Sequence, residues 1–263
     1  MNKIKKIELL DRQSYDVPKL LTKMNDDSFY YGELNKLALS SSSLKLLLDS
    51  PKTYKYVSQY SQPESQPLRD GWLFHTAILE PDVFESQIFV DVQSKNTKKF
   101  RDAKLEHGSN RIFTIKERKQ AERLMDAFYR NERALQLIGD AQFEVPAIGE
   151  VMGFPFRGKA DVLGNDGRIV DLKTTSDIKA FPYSAKKYSY DLQCFLYCHL
   201  FNVDYRDFKF LVMDKSSLDL GVWDCSEQFY HSGEQKCERA LDVYEKFFID
   251  GVDIDSYFLE GTL

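Results

Sequence analysis

Gly158-Lys159-Ala160-Asp161-Val162-Leu163-Gly164, then Asn165-Asp166-Gly167, then Arg168-Ile169-Val170-Asp171-Leu172-Lys173-Thr174-Thr175 is the stretch that decides how this chain folds. Successive side chains on a strand point to opposite faces, so Asp171 and Lys173 share one face while Val170 and Leu172 occupy the other. The apolar face packs inward, and charges on such a strand must be exposed, paired or coordinate something. Turn length sets which residue Asp161 meets. A two-residue turn at Asn165-Asp166 places it opposite Val170, with the two acids on opposite faces. A three-residue turn, Asn165-Asp166-Gly167, places it opposite Asp171. Such turns commonly end on a glycine in the left-handed region, and Gly167 stands there. The three-residue register is therefore expected.

With both carboxylates on one side, the hairpin offers oxygen ligands to a hard cation such as Mg²⁺ or Mn²⁺. A bound cation acidifies its water and offsets phosphate charge, and Lys173 is placed to stabilise developing negative charge. Twenty residues on, Gln193 and Tyr197 stand at i and i+4, on one face of a predicted helix. An isolated Asp-x-Lys is usually a surface ion pair. The preceding Gly-x-x-Asp and the following Gln-x-x-x-Tyr turn the combination towards metal-assisted phosphodiester cleavage.

The flanking pattern predicts one α/β domain without internal repeats. Strands are expected over 142–148, 155–163, 168–173, 208–213 and 220–223, with helices over 184–201 and 227–248. Thr114-Ile115-Lys116-Glu117 is a capping box opening a helix towards Ile138, with Gly139 as its stop. Ser40 to Ser43 cap a short helix that ends at Pro51. Gly71 to Glu80 is apolar nearly all round and reads as a buried helix closed by Pro81. Ser58 to Pro67 reads as a loop, and Ser94 to Lys104 as a mobile one.

The chain has 263 residues, 43% of them hydrophobic, with 19 Phe and 15 Tyr, enough for a sizeable core. No run approaches the ~18 apolar residues of a membrane span, and the start lacks the apolar stretch of a secretory signal. Net charge is −5, which argues against broad electrostatic coating of nucleic acid but not against a local basic channel. Cys194, Cys198, Cys225 and Cys237 lack the spacing of a zinc or iron–sulfur site and read as reduced core residues of a cytoplasmic protein.

These motifs resemble the PD-(D/E)XK nuclease superfamily, in the branch holding RecB-type nuclease domains and CRISPR-associated exonucleases. Within it the chain looks most like the RecE (exonuclease VIII) type of phage recombination exonuclease. Phe29-Tyr30-Tyr31, Leu39-Ser40-Ser41-Ser42-Ser43-Leu44-Lys45 and Ser50-Pro51-Lys52-Thr53-Tyr54-Lys55 resemble that family's opening segment. Gly71 to His75 looks like its histidine-bearing helix. The resemblance spans roughly residues 29–248. It implies a restriction-endonuclease-like core, a central mixed sheet flanked by helices, as a single domain over 29–263. Residues 1–28 have no counterpart and form an extension of unclear role.

Carried over by position, the resemblance makes Asp161 and Asp171 metal ligands, with the Leu172 carbonyl and His75 beside them, and Lys173 the catalytic lysine. Glu144 matches the acid of the preceding strand, with Glu150 as its competitor. Gln193 and Tyr197 would position the lysine, water or a phosphate; on residue grounds alone, His75 reads first as a hydrogen-bonded core residue, and a core place is the lesser reading for Tyr197. Ala160 replaces the family's proline. Ser43, Lys45, Arg69, Thr174, Lys186 and Lys187 are DNA-contact candidates, the last two in a segment where Lys179, Phe181, Tyr183, Tyr188 and Tyr190 alternate basic and aromatic character. The implied activity is Mg²⁺-dependent (or Mn²⁺-dependent) 5′→3′ exonuclease action on double-stranded DNA ends, with two ions per site. The product would be a 3′ single-stranded tail for a RecT-like annealing partner. Family members often form rings around DNA, which would hold an acidic protein on its substrate. A RecB- or CRISPR-type single-strand or endonuclease activity, and a catalytically silent DNA-binding module, are the alternatives.

Overall fold

The computed structural model describes residues 5–60, 65–108 and 111–260. The chain opens with a small antiparallel hairpin, β1 (Lys6–Glu8) and β2 (Ser14–Asp16). Helix α1 (Val17–Lys23) follows, its first turn capped by the Asp16 carboxylate, which accepts the Lys19 N–H. A π-type turn over Phe29–Glu33 leads into the short α2 (Leu34–Leu37). Ser40 and Ser50 are extended residues whose hydroxyls accept N–H groups of α3 (Ser41–Asp49) and α4 (Pro51–Gln59) respectively. Pro51 thus ends one helix and starts the next, where its missing N–H does no harm.

Helix α5 (Gln66–Leu79) begins five residues before Gly71, with Pro67 in its first turn. After α6 (Pro81–Glu85) come β3 (Ile88–Val90), α7 (Lys98–His107) and β4 (Ile112–Thr114), the two strands pairing in parallel. Helix α7 occupies most of the segment expected to be a mobile loop. The Thr97 hydroxyl caps it, and its one fully buried apolar side chain, Phe100, packs with Val90 and Ile112. Both halves of the Thr114–Glu117 capping box form at the start of α8 (Ile115–Tyr129). The helix does not run on to Ile138. Asn131 accepts the Ala134 N–H and opens a separate α9 (Glu132–Ile138).

The main sheet has the order β5-β6-β7-β8-β9: β5 (Ala141–Val151), β6 (Phe154–Gly164), β7 (Ile169–Thr175), β8 (Phe208–Asp214) and β9 (Leu220–Asp224). Only β7 and β8 pair in parallel, joined by a crossover through α10 (Phe181–Lys187) and α11 (Tyr190–Phe201). The expected single helix over 184–201 divides at Ser189, whose φ of 51° no helix tolerates. Helix α12 (Glu227–Tyr244) closes the fold.

Alternation along the strands separates two cores. Ile169, Phe208, Phe210 and Val212 pack towards α3, α11 and α12, while Val170, Leu172, Leu211 and Met213 pack towards α5, α8 and α9. The architecture is α/β, a five-stranded mixed sheet between helical layers. All four cysteines are buried without disulfides. Among the described residues no helix is long and apolar enough to cross a membrane.

The β6–β7 turn has the expected three-residue form. Gly164 and Arg168 close it through a 2.8 Å hydrogen bond, and Gly167 sits at φ +88°, where a side chain would be strained. Strand pairs Val162↔Val170 and Leu163↔Ile169 put Asp161 and Asp171 at the next step of the same register. Beyond those two pairs the strands diverge.

Candidate metal centre

The divergence creates the site. Where the ladder would have continued, the Asp161 carboxylate fills the fork and accepts the Leu172 N–H at 2.7 Å. Asp161 Oδ2 also lies 3.4 Å from Nδ1 of His75, which α5 carries against the sheet. From the other side comes Glu144. It stands in β5 between the pairs Phe143↔Val162 and Val145↔Ala160, with a left-handed φ of 51°. That conformation costs a non-glycine residue on the order of 1 kcal/mol and is held where surrounding structure demands it. One ligand atom each from His75, Glu144 and Asp161 lies within 4.8 Å of the other two. An imidazole and two carboxylates, each only partly exposed, fit a divalent cation. Burial, followed by the neighbouring Asp161 charge, raises the Glu144 pKa to about 8, against the opposing pull of Lys159.

Asp171 stands on the adjoining strand, outside this trio. It is 1% exposed, and Gln193 of α11 donates to its Oδ1 at 2.6 Å. Its Oδ2 forms an ion pair with Lys173, two residues along the same strand face, without a well-angled hydrogen bond. Burial raises the Asp171 pKa to about 6 despite the lysine. Burial works against the Lys173 charge, but Asp171 and Asp161 more than offset it, and its pKa is raised. The ammonium lies 5.0 Å from the centre of the Tyr190 ring, a cation–π contact. Lysine and acids thus face a common space with both charges kept.

The other expected site residues are distributed unevenly. The Tyr197 hydroxyl donates to the Lys159 carbonyl at 3.0 Å and so braces β6. Glu150 is exposed near the far end of the β5–β6 hairpin, opposite Pro155, which leaves Glu144 as the acid of that strand. Leu172 is buried and enters the site through its backbone. Thr174 is half-buried beside Gly71, and Lys186 and Lys187 are exposed at the end of α10. Lys45 projects from α3 to within 5.1 Å of the Tyr190 ring centre, opposite no carboxylate at ion-pair distance among the described residues, and burial lowers its pKa to about 8.

Two of the DNA-contact expectations are corrected. Arg69 is 6% exposed, its guanidinium bonded to Glu117 at 2.9 Å and stacked over Phe113, so it holds α5 to α8 and offers no cation to a phosphate. Ser43 is buried, its hydroxyl against that of Ser40 inside the α3 cap. Conversely, Tyr190 and Lys159 border the site without having been singled out for it. Tyr190 was legible only as one of several aromatics. Lys159 lay inside the quoted hairpin, but nothing in spacing shows what its side chain meets.

A forked mixed sheet, an acid at the fork, an Asp-x-Lys on the adjoining strand and a helix-borne glutamine define the PD-(D/E)XK class of core. The chain belongs to the family described as PDDEXK-like domain of unknown function (DUF3799), whose profile matches residues 40–250. Among solved structures it is similar to a Eubacterium rectale protein whose exonuclease assignment is itself an inference. The TM-score is 0.63 at 17% identity, covering 90% of this chain and 95% of that one, a likeness of fold. A phage related exonuclease from Haemophilus somnus 129PT aligns with a TM-score of 0.33 at 14% identity, over 61% of this chain and 90% of that one, too distant to carry an argument. No curated protein matches the sequence.

Proposed function

We propose that the protein is a divalent-metal-dependent exodeoxyribonuclease acting 5′→3′ on double-stranded DNA ends and leaving 3′ single-stranded tails. The observation that carries the nuclease reading is the convergence of His75, Glu144 and Asp161 beside the Asp171–Lys173 pair. A bound Mg²⁺ or Mn²⁺ would neutralise phosphate charge and acidify a water molecule. The chain's own groups supply the rest. His75, Glu144 and Asp161 offer the donors; Gln193 fixes Asp171, and Asp171 fixes the Lys173 ammonium where negative charge develops as the phosphodiester P–O bond breaks. Lys45, an ammonium near Tyr190 with no carboxylate at ion-pair distance among the described residues, would hold a backbone phosphate. The resemblance extends the reading to a two-ion centre, a ring-forming homo-oligomer working in the cytoplasm, and a RecT-like annealing partner for the tails.

The test is digestion of linear duplex labelled at either the 5′ or the 3′ end, with Mg²⁺, beside covalently closed circles. Progressive release of 5′ label from linear DNA, with circles intact, is expected. Nicking or linearisation of the circles would reject the exonuclease reading, and release of 3′ label first would reverse the direction.

A further inference from the structure

The family profile begins at residue 40, so the chain from β1 to α2 lies outside it, yet this segment is built onto the site-bearing strand. Its own small core, with Leu20, Met24, Tyr30 and Leu34, closes over Ile148 of β5. It then grips β6 at alternate residues. Leu39 donates to the Pro155 carbonyl at 2.9 Å and accepts from the Arg157 N–H at 2.8 Å. Asn35 takes the Arg157 guanidinium at 2.6 Å, and the Tyr30 ring lies 4.4 Å from that guanidinium and 5.0 Å from the Lys159 ammonium.

The grip ends on Asp27. One of its oxygens is 3.2 Å from Lys159 Nζ and the other 3.2 Å from Arg111 Nη1. Lys159 is therefore shared between two acids, because its Nζ also lies 4.0 Å from Glu144 Oε2. With its side chain only 11% exposed, this ammonium must keep a carboxylate partner. Asp27 and Glu144 are the two within reach among the described residues, and Asp27 is the nearer.

We propose that Asp27 is a positioning residue of the candidate metal centre: by holding Lys159 it leaves the Glu144 carboxylate available to a divalent cation. Without Asp27, Lys159 closes on Glu144 and competes with the ion for the same oxygens. The inference rests on the metal-centre reading given above, and it assigns the N-terminal segment a place in the site's machinery.

The test is calorimetric titration of Mn²⁺ into the full chain as wild type, Asp27→Asn, Asp27→Glu and the double variant Asp27→Asn/Lys159→Met. Asp27→Asn should weaken Mn²⁺ about fivefold or more, the scale of one partly exposed charge interaction. Asp27→Glu should bind as wild type does, and Lys159→Met in the Asp27→Asn background should restore binding to within about twofold. DNA cleavage by Asp27→Asn should recover as Mg²⁺ is raised to saturation. Unchanged Mn²⁺ affinity in Asp27→Asn overturns the proposal, as does a loss that Lys159→Met fails to reverse, which would mark a purely structural contact. Should Asp27→Asn not fold, the double variant decides alone: binding more than about fivefold weaker than wild type overturns the proposal. A wild type that takes up no Mn²⁺ removes the metal-centre reading itself.

Discussion

Glu144 gives the site a proton linkage that can be measured without following cleavage. Its pKa is raised to about 8 by burial and then by Asp161, against the pull of Lys159, so around neutral pH protons compete with a cation for this carboxylate. A cation taking this oxygen must displace the proton. Mn²⁺ affinity should therefore rise about 25-fold, roughly 1.9 kcal/mol, between pH 6.5 and pH 8.5. Calorimetry in two buffers of different ionisation enthalpy should show release of about 0.9 proton from this group at pH 7. Glu144→Gln should bind more weakly and lose most of the pH dependence. The stability effect has the opposite direction. A folded-state pKa raised above the unfolded value contributes stability fully present below about 4.5 and lost as pH rises through about 8. In chelator at pH 8.5, Glu144→Gln should then be more stable than wild type by on the order of 2–3 kcal/mol, a figure discounted for the carboxylate's partial exposure. A wild-type Mn²⁺ affinity that changes less than about threefold over the two pH units would refute the placement of Glu144 at the ion.

Lys173→Ala should cut cleavage at saturating Mg²⁺ by about 100-fold or more while leaving Mn²⁺ binding near wild type; retained turnover would remove the lysine from the chemistry. Gly233→Ala would bring a Cβ to 2.2 Å from the Asp191 backbone oxygen at the start of α11. Backbone cannot yield as a side-chain tip can, so the α11–α12 contact should open, with about 1–3 kcal/mol lost in denaturant melts. Arg69→Ala should destabilise by about 3–5 kcal/mol, because it takes the cation from a buried Glu117 whose pKa is held at about 2, against burial, by hydrogen bonds from Arg69, Thr114 and Gln66, yet leave DNA-end affinity intact. Weakened DNA binding in a folded Arg69→Ala protein would reinstate it as a phosphate contact.

The parts of the fold legible in sequence were those set by local rules. Gly167 fixed the hairpin register because a three-residue turn needs a left-handed terminal residue. The Thr114–Glu117 box announced α8, and strand periodicity located the whole sheet. What stayed hidden depends on one residue's chance partners. Asn131 and Ser189 split helices whose apolar periodicity runs straight through them, since a cap or a single left-handed residue leaves no trace in a hydrophobic pattern. Helix α7 carries too little apolar content to show a face, and the apolar surroundings of its buried Phe100 are supplied by strands β3 and β4. His75 and Glu144 came to the site through family resemblance, since their spacing from Asp161 says nothing of proximity. Asp27 is 132 residues from Lys159 and was not visible at all.

The fork also explains why two acids ten residues apart are not interchangeable, although the register makes them opposite one another. Had β6 and β7 stayed paired, both carboxylates would have stood side by side on one sheet face. Because pairing stops after Val162↔Val170, Asp161 turns into the gap, gains a backbone N–H from Leu172, and joins His75 and Glu144. Asp171 stays on the intact strand, where α11 covers it and both of its oxygens are engaged, by Gln193 and Lys173. One acid is left with an open coordination side and the other with a fixed cationic neighbour. Strand geometry thus gives different neighbours to two residues that sequence alone presents as equivalent.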